Sequence, residues 1–145
     1  MSDESHTYEV KIDWTHDRIG DLIIEDKPTV QIATPPEFEG GVPGIISPED
    51  LFVASAATCM MTTFVTFSKK MRFEFESFSC KGIGTLERGE KGFEFTRILL
   101  KSTVTVESED LVSKAERALE LAGKYCLVAN SMKCQVDHEN VVDLK

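Results

Sequence analysis

The chain changes its hydrophobic period several times, and each change marks an element. Tyr8-Glu9-Val10-Lys11-Ile12-Asp13-Trp14 alternates with a period of two, which predicts a strand. His16-Asp17-Arg18-Ile19-Gly20 reads as a turn, and Leu22-Ile23-Ile24 and Val30-Gln31-Ile32 as two short strands split by Asp26-Lys27-Pro28. Residues 34–46 hold three prolines and three glycines and predict a long ordered loop, a feature that in compact domains is often functional. Ser47-Pro48-Glu49-Asp50 then opens a helix. Ser47 can cap, Pro48 suits the first helical position, and the two acids face the positive end of the dipole. This helix is expected to run to about Lys69. Apolar residues surround its axis almost completely, so burial on most sides is expected.

Alternation resumes at Phe73-Glu74-Phe75-Glu76 and is expected to continue to Leu86. Arg88-Gly89-Glu90-Lys91-Gly92 predicts a hairpin turn, and residues 93–106 its long partner strand. Ser108-Glu109-Asp110-Leu111 starts a second helix by the same capping logic, with Leu111, Ala115, Ala118, Leu119 and Ala122 on its buried face. Gly123 ends it or loosens its last turn. Residues 128–133 read as a short helix and 135–142 as a final strand. Strands, helix, hairpin, helix and strand in that order predict an α+β fold, and 145 residues fit a single domain covering residues 1–145.

The formal charge of −9 argues against nucleic acid and against anionic membrane surfaces as partners. The start, Met1-Ser2-Asp3-Glu4-Ser5-His6, has neither the basic nor the apolar region of a signal peptide. The longest apolar stretch, residues 51–67, is interrupted by Ser55, Thr58, Thr62, Thr63 and Thr66, which favours a buried core helix over a membrane span. A cytoplasmic location is therefore expected, where the four cysteines stay reduced.

Two of those cysteines stand out. Cys59 lies in a capped helix rich in small residues, and Cys126 follows the second helix. Thiols from separate helices without a CxxC spacing point to an attacking and a resolving thiol. Either one alone would read as a small buried hydrophobe. Cys80 reads as sheet packing, and Cys134 as packing or a substitute resolver. Cys126, Cys134 and His138, spaced by eight and four, lack a zinc-finger pattern and a fourth ligand.

In order and spacing, these residues resemble the OsmC/Ohr family of thiol peroxidases over nearly the whole chain. The Pro48-Glu49-Asp50-Leu51-Phe52 helix start leading to Cys59 is similar to the family's first-cysteine motif. Pro35-Pro36-Glu37-Phe38-Glu39-Gly40-Gly41 resembles its Pro-x-Glu-x-Gly-Gly loop, and Cys126 its second cysteine. Arg18, between Trp14 and Gly20, stands where Ohr-like members carry an active-site arginine. Three departures mark an outlying branch. Leu127 replaces a proline after the second cysteine, the loop 34–46 contains no arginine, and Cys134 is an extra thiol.

The resemblance implies an OsmC-like fold of antiparallel sheets around a buried central helix, in an intertwined homodimer with sites at the interface. It implies reduction of organic or lipid hydroperoxides through a Cys59 sulfenic acid, resolution by Cys126, and recycling by an external, possibly lipoyl-type, dithiol. No cofactor or metal is required. Arg18 would favour the thiolate, since one charge at ~4 Å contributes on the order of 4 kcal/mol at an effective dielectric of about 20. Glu49 would orient Arg18. Ten residues of straight helix span about 15 Å, so Glu49 and Cys59 of one chain reach a single guanidinium only if the helix breaks; otherwise two subunits share the site. Phe38, Phe52, Met60 and Phe64 are candidate pocket residues. Two rival readings use the same residues. One is a non-catalytic protein binding small apolar ligands; the other is a thiol redox sensor or disulfide exchanger.

Overall fold

The computed structural model describes residues 4–145, so the acidic start Met1-Ser2-Asp3 lies outside the described residues. The chain divides into two compact units, Met1–Leu51 and Phe52–Lys145.

The first unit carries a three-stranded antiparallel sheet in the order β1 (Lys11–His16), β2 (Ile19–Ile23) and β3 (Val30–Ala33). The β1–β2 turn is tighter than the sequence implies. Asp17 adopts a left-handed φ of 49°, Trp14 Nε1 donates to the Asp17 carbonyl at 2.8 Å, and Ile19 and Gly20 already belong to β2. Gly20 is required here, because a Cβ would stand 2.8 Å from the Asp13 carbonyl oxygen. The loop 34–46 closes on the sheet through Val42 N to Thr34 O at 2.9 Å and Ala33 N to Ile46 O at 3.0 Å.

Helix α1 (Pro48–Lys70) begins with a reciprocal cap. Asp50 N donates to Ser47 Oγ and Ser47 N to Asp50 Oδ2, each at 3.0 Å. It ends in a Schellman motif, with Arg72 left-handed at φ 58° and Phe73 N and Arg72 N bonded to the carbonyls of Ser68 and Lys69. That stop corrects the expected strand start. Phe73 and Phe75 belong to no strand and instead edge against Phe64.

The second unit is a mixed sheet, β4 (Ser77–Gly89), β5 (Gly92–Val106) and β6 (Gln135–Leu144), with β5 central. The β4–β5 hairpin closes over Glu90-Lys91, with Gly92 at φ 111°. β6 runs parallel to β5, so the expectation of purely antiparallel sheets fails for this one pair. The crossover needed for a parallel pair is supplied by α2 (Val112–Tyr125) and the four-residue α3 (Leu127–Asn130). A 3₁₀ turn, Glu109–Leu111, precedes α2, and Ser108 makes no side-chain cap bond, contrary to the expected start. Of the two expectations for Gly123, an end to α2 is not found: the residue lies in the helix's last turn. It lies within the helix because the His138 ring of β6 packs where a Cβ would be, 3.1 Å from Nε2.

The core of this unit joins Met60 and Phe64 of α1 to Ile98, Leu100 and Val104 of β5 and to Ala118 and Leu119 of α2. By length and composition alone α1 is apolar enough to cross a bilayer, yet Ala56, Cys59, Met60, Phe64 and Ser68 are buried in the protein. Its burial is one-sided, however. Leu51 and Met61 remain exposed, which departs from the expectation of burial on most sides. Phe64, fully buried against Phe73, Phe75 and Phe78, is the anchor of this packing. Phe64→Ala is expected to lower unfolding free energy by about 3–5 kcal/mol, read from the midpoint of a urea titration at unchanged slope.

Candidate active site

Cys59 sits in mid-α1, with only 8% of its surface exposed. Cys126 is the extended residue (φ −66°, ψ 106°) between α2 and α3 and is fully buried. Its carbonyl accepts from Asn130 N at 3.0 Å, which makes it the residue that opens α3. The first amides of a helix have no acceptor within it. Here the Leu127 and Val128 backbone and the Cys126 thiol favour the ionised form of the Cys59 sulfur. Thr63, one turn further along α1, places Oγ1 3.7 Å from Cys59 Sγ.

The electrostatic consequence is asymmetric. Burial opposes ionisation of Cys59, but hydrogen bonds from the Cys126 thiol, Val128 N, Thr63 and Leu127 N together hold its pKa below the ordinary thiol value. Burial pushes Cys126 up, and donating its proton to Cys59 raises it further, to about 11. Of the two, Cys59 is therefore the more readily ionised and Cys126 the better proton donor. Both are free thiols. Cys80, paired across the sheet with Ser102, is raised by burial against an opposing Ser102 hydrogen bond, and the half-buried Cys134 packs against the core.

The structure thus brings Cys59 and Cys126 together. Arg18 and Glu49 belong to the Met1–Leu51 unit. There Arg18 packs its stem on Gly40, whose Cβ position is 3.1 Å from Arg18 Cγ and Nε, and its carbonyl accepts from Thr34 N at 3.3 Å. Gly40 has φ 78°, so both its conformation and its missing side chain let the loop lie on the arginine. Glu49 keeps Oε1 buried without a hydrogen-bond partner in the chain.

Beside Cys59 lies a cleft of about 700 Å³ lined along α1 by Thr62, Thr63, Thr66, Phe67 and Lys70, and opposite by Leu121, Tyr125 and Leu127. Three of the pocket residues expected from the sequence are placed elsewhere. Met60 and Phe64 are fully buried in the core and Phe52 stacks on Phe95 at 4.7 Å, because they occupy other faces of α1. Thr63, the two amide donors and the cleft wall were missed. Thr63 was readable as the residue four after Cys59; the amides carry no sequence signal beyond the absence of proline at 127.

The two thiols lie together on an α+β frame with a long central helix. The OsmC-like protein model matches residues 41–140, and the chain belongs to that family. It is similar to the uncharacterized protein YmaD of Bacillus subtilis (strain 168), 22% identical over 91% of this chain and 90% of that one. An OsmC-like protein of unknown function from Vibrio cholerae superposes with a TM-score of 0.83 at 22% identity, over 94% of this chain and 99% of that one. An organic hydroperoxide resistance protein OsmC from Legionella pneumophila gives 0.73 at 24% identity, over 96% and 99%.

The donors around Cys59 make a direct forecast. The pH midpoint of iodoacetamide labelling at Cys59 lies below that of an ordinary thiol. Cys126→Ala, which removes the thiol donor, moves it upward, and Thr63→Val moves it upward by less, as mass mapping of labelled peptides over a pH series will read out.

Proposed function

We propose that this protein is a cofactor-free cysteine peroxidase that reduces organic or lipid hydroperoxides. The observation that carries the reading is the divided pair: a Cys59 sulfur surrounded by donors, with the Cys126 thiol held against it in protonated form. The thiolate is the nucleophile that peroxide chemistry needs. Membership of a family that includes hydroperoxide resistance proteins supports the same reading.

In the proposed cycle, Cys59 thiolate attacks the outer peroxide oxygen. The O–O bond breaks, the alkoxide leaves and takes up a proton as the alcohol, and Cys59 becomes a sulfenic acid. Conversion to the neutral sulfenic acid removes the negative charge that helps keep Cys126 protonated. Cys126 then attacks the Cys59 sulfur, water leaves, and a disulfide forms. An external dithiol, lipoyl-type in this reading, returns both thiols by exchange and is itself oxidised.

Arg18 and Glu49 complete the site in this proposal, Arg18 holding the peroxide oxygens and Glu49, with its unpartnered buried oxygen, orienting the guanidinium. Helix α1 is continuous from Pro48 to Lys70, with no break at its start. A single chain then does not bring Glu49 and Cys59 to one guanidinium, and we infer that two subunits share each site. The apolar residues exposed on edge strand β1 and its approach, Tyr8, Val10, Ile12 and Trp14, support a second copy as their cover. A cytoplasmic setting suits thiols that are reduced between turnovers.

Stopped-flow consumption of cumene hydroperoxide by the reduced protein tests the reading. Wild type is expected to react far faster than a free thiol. Cys59→Ser abolishes the reaction, Cys126→Ser allows one turnover and leaves a trappable sulfenic acid, and Arg18→Ala slows it by at least ~100-fold, the usual scale for an electrostatic group at the reacting oxygens. Wild type reacting at the rate of a free thiol would return the disulfide-exchange and ligand-binding readings to the front.

A further inference from the structure

Cys59, Thr62, Thr63, Thr66 and Lys70 recur along α1 at i, i+3, i+4, i+7 and i+11. That spacing puts them on one face of a 3.6-residue helix. This polar face of an otherwise apolar helix is one wall of the cleft beside Cys59, and Leu121, Tyr125 and Leu127 are the other. The Thr62 and Thr66 hydroxyls donate back to the helix, to the Cys59 carbonyl at 3.1 Å and the Thr62 carbonyl at 3.0 Å. Their protons are therefore engaged, and the lane between thiol and lysine is a smooth, weakly polar surface suited to a hydrocarbon body.

Lys70 is the charged residue of this cleft. Its ammonium stands 5.6 Å from the Phe67 ring centroid, and no carboxylate among the described residues pairs with it. In a chain of net charge −9, this lysine stands in the cleft lining without an acid paired to it, and its charge is free to meet an anion. Its place in the last turn of α1 also suits the helix dipole, but Lys69 meets that need from outside the cleft. Eleven residues separate Lys70 from Cys59, a rise of about 16 Å.

We propose that Lys70 binds the carboxylate of an amphipathic acid lying along this cleft, so that the preferred substrate is a long-chain acyl hydroperoxide in free-acid form, with peroxide and carboxylate at opposite ends of the lane. The hydroperoxide half rests on the peroxidase reading above; the carboxylate site does not.

Two measurements test it together. At low ionic strength, wild type is expected to favour linoleic acid hydroperoxide over its methyl ester by roughly three- to five-fold in kcat/KM, the scale of one solvent-accessible ion pair. Lys70→Gln removes that preference and Lys70→Arg keeps it. In parallel, linoleate itself slows iodoacetamide labelling of Cys59 in wild type and Lys70→Arg but not in Lys70→Gln. An acid-to-ester ratio and a protection by linoleate that are both unchanged in Lys70→Gln overturn the site. If no hydroperoxide is reduced but linoleate protects Cys59 through Lys70, the peroxidase reading falls and the carboxylate site stands.

Discussion

The donors converging on the Cys59 sulfur are the constraint around which the second unit is arranged. A thiolate taken out of water is destabilised unless hydrogen bonds replace its hydration. Here the Cys126 thiol, the Val128 and Leu127 backbone and Thr63 favour the ionised form of Cys59 against burial, and all but Thr63 belong to the junction at residues 126–128. That junction exists because α2 ends at Tyr125, Cys126 turns extended, and α3 begins at once. The first amides of the short α3 have no acceptor within the helix, and they face the side of the junction where Cys59 is favoured as the ionised form.

Holding that junction against mid-α1 depends on packing far from either cysteine. Helix α2 is tied to the sheet by the close approach of Gly123 to His138 and by fully buried Ala115, Ala118, Leu119 and Ala122. Phe64, one turn past Met60 on the buried side of α1, fixes the helix by contact with Phe73, Phe75 and Phe78. The parallel return of β6 beside β5 requires the α2–α3 crossover, so the topology of the sheet and the placing of Cys126 are one decision. The same α1 presents Phe64 to the core and Cys59 with Lys70 to the cleft, on different faces of the helix.

Much of this was legible in the sequence. Alternation revealed β1, the long hairpin and β6, and Ser47-Pro48-Glu49-Asp50 revealed the helix start, because these signals are local. That Cys59 and Cys126 lie together was legible too, from two cysteines in settings that spacing alone does not make structural. What stayed hidden depended on long-range or backbone geometry. Phe73 and Phe75 alternate like a strand, but the left-handed Arg72 turns the chain and sends them against Phe64. Gly123 read as a helix stop or a loosening of the last turn; it lies within that turn, and only the neighbouring strand explains it. The burial expected on most sides of α1 is found on one side, since helical wheel composition counts apolar residues without knowing what covers them. The amides of Leu127 and Val128 are invisible in sequence, apart from Leu127 not being a proline.

The central claim is that Cys59 and Cys126 form one redox couple within a chain. Its most direct measurement is to add one equivalent of cumene hydroperoxide to the reduced protein, quench with acid, alkylate, and map the disulfides by non-reducing peptide mass spectrometry. The account predicts a single linkage, Cys59 to Cys126 of the same chain, with Cys80 and Cys134 recovered as free thiols. A linkage through Cys134, a cross-link between chains, or a Cys59 that stays reduced would contradict it.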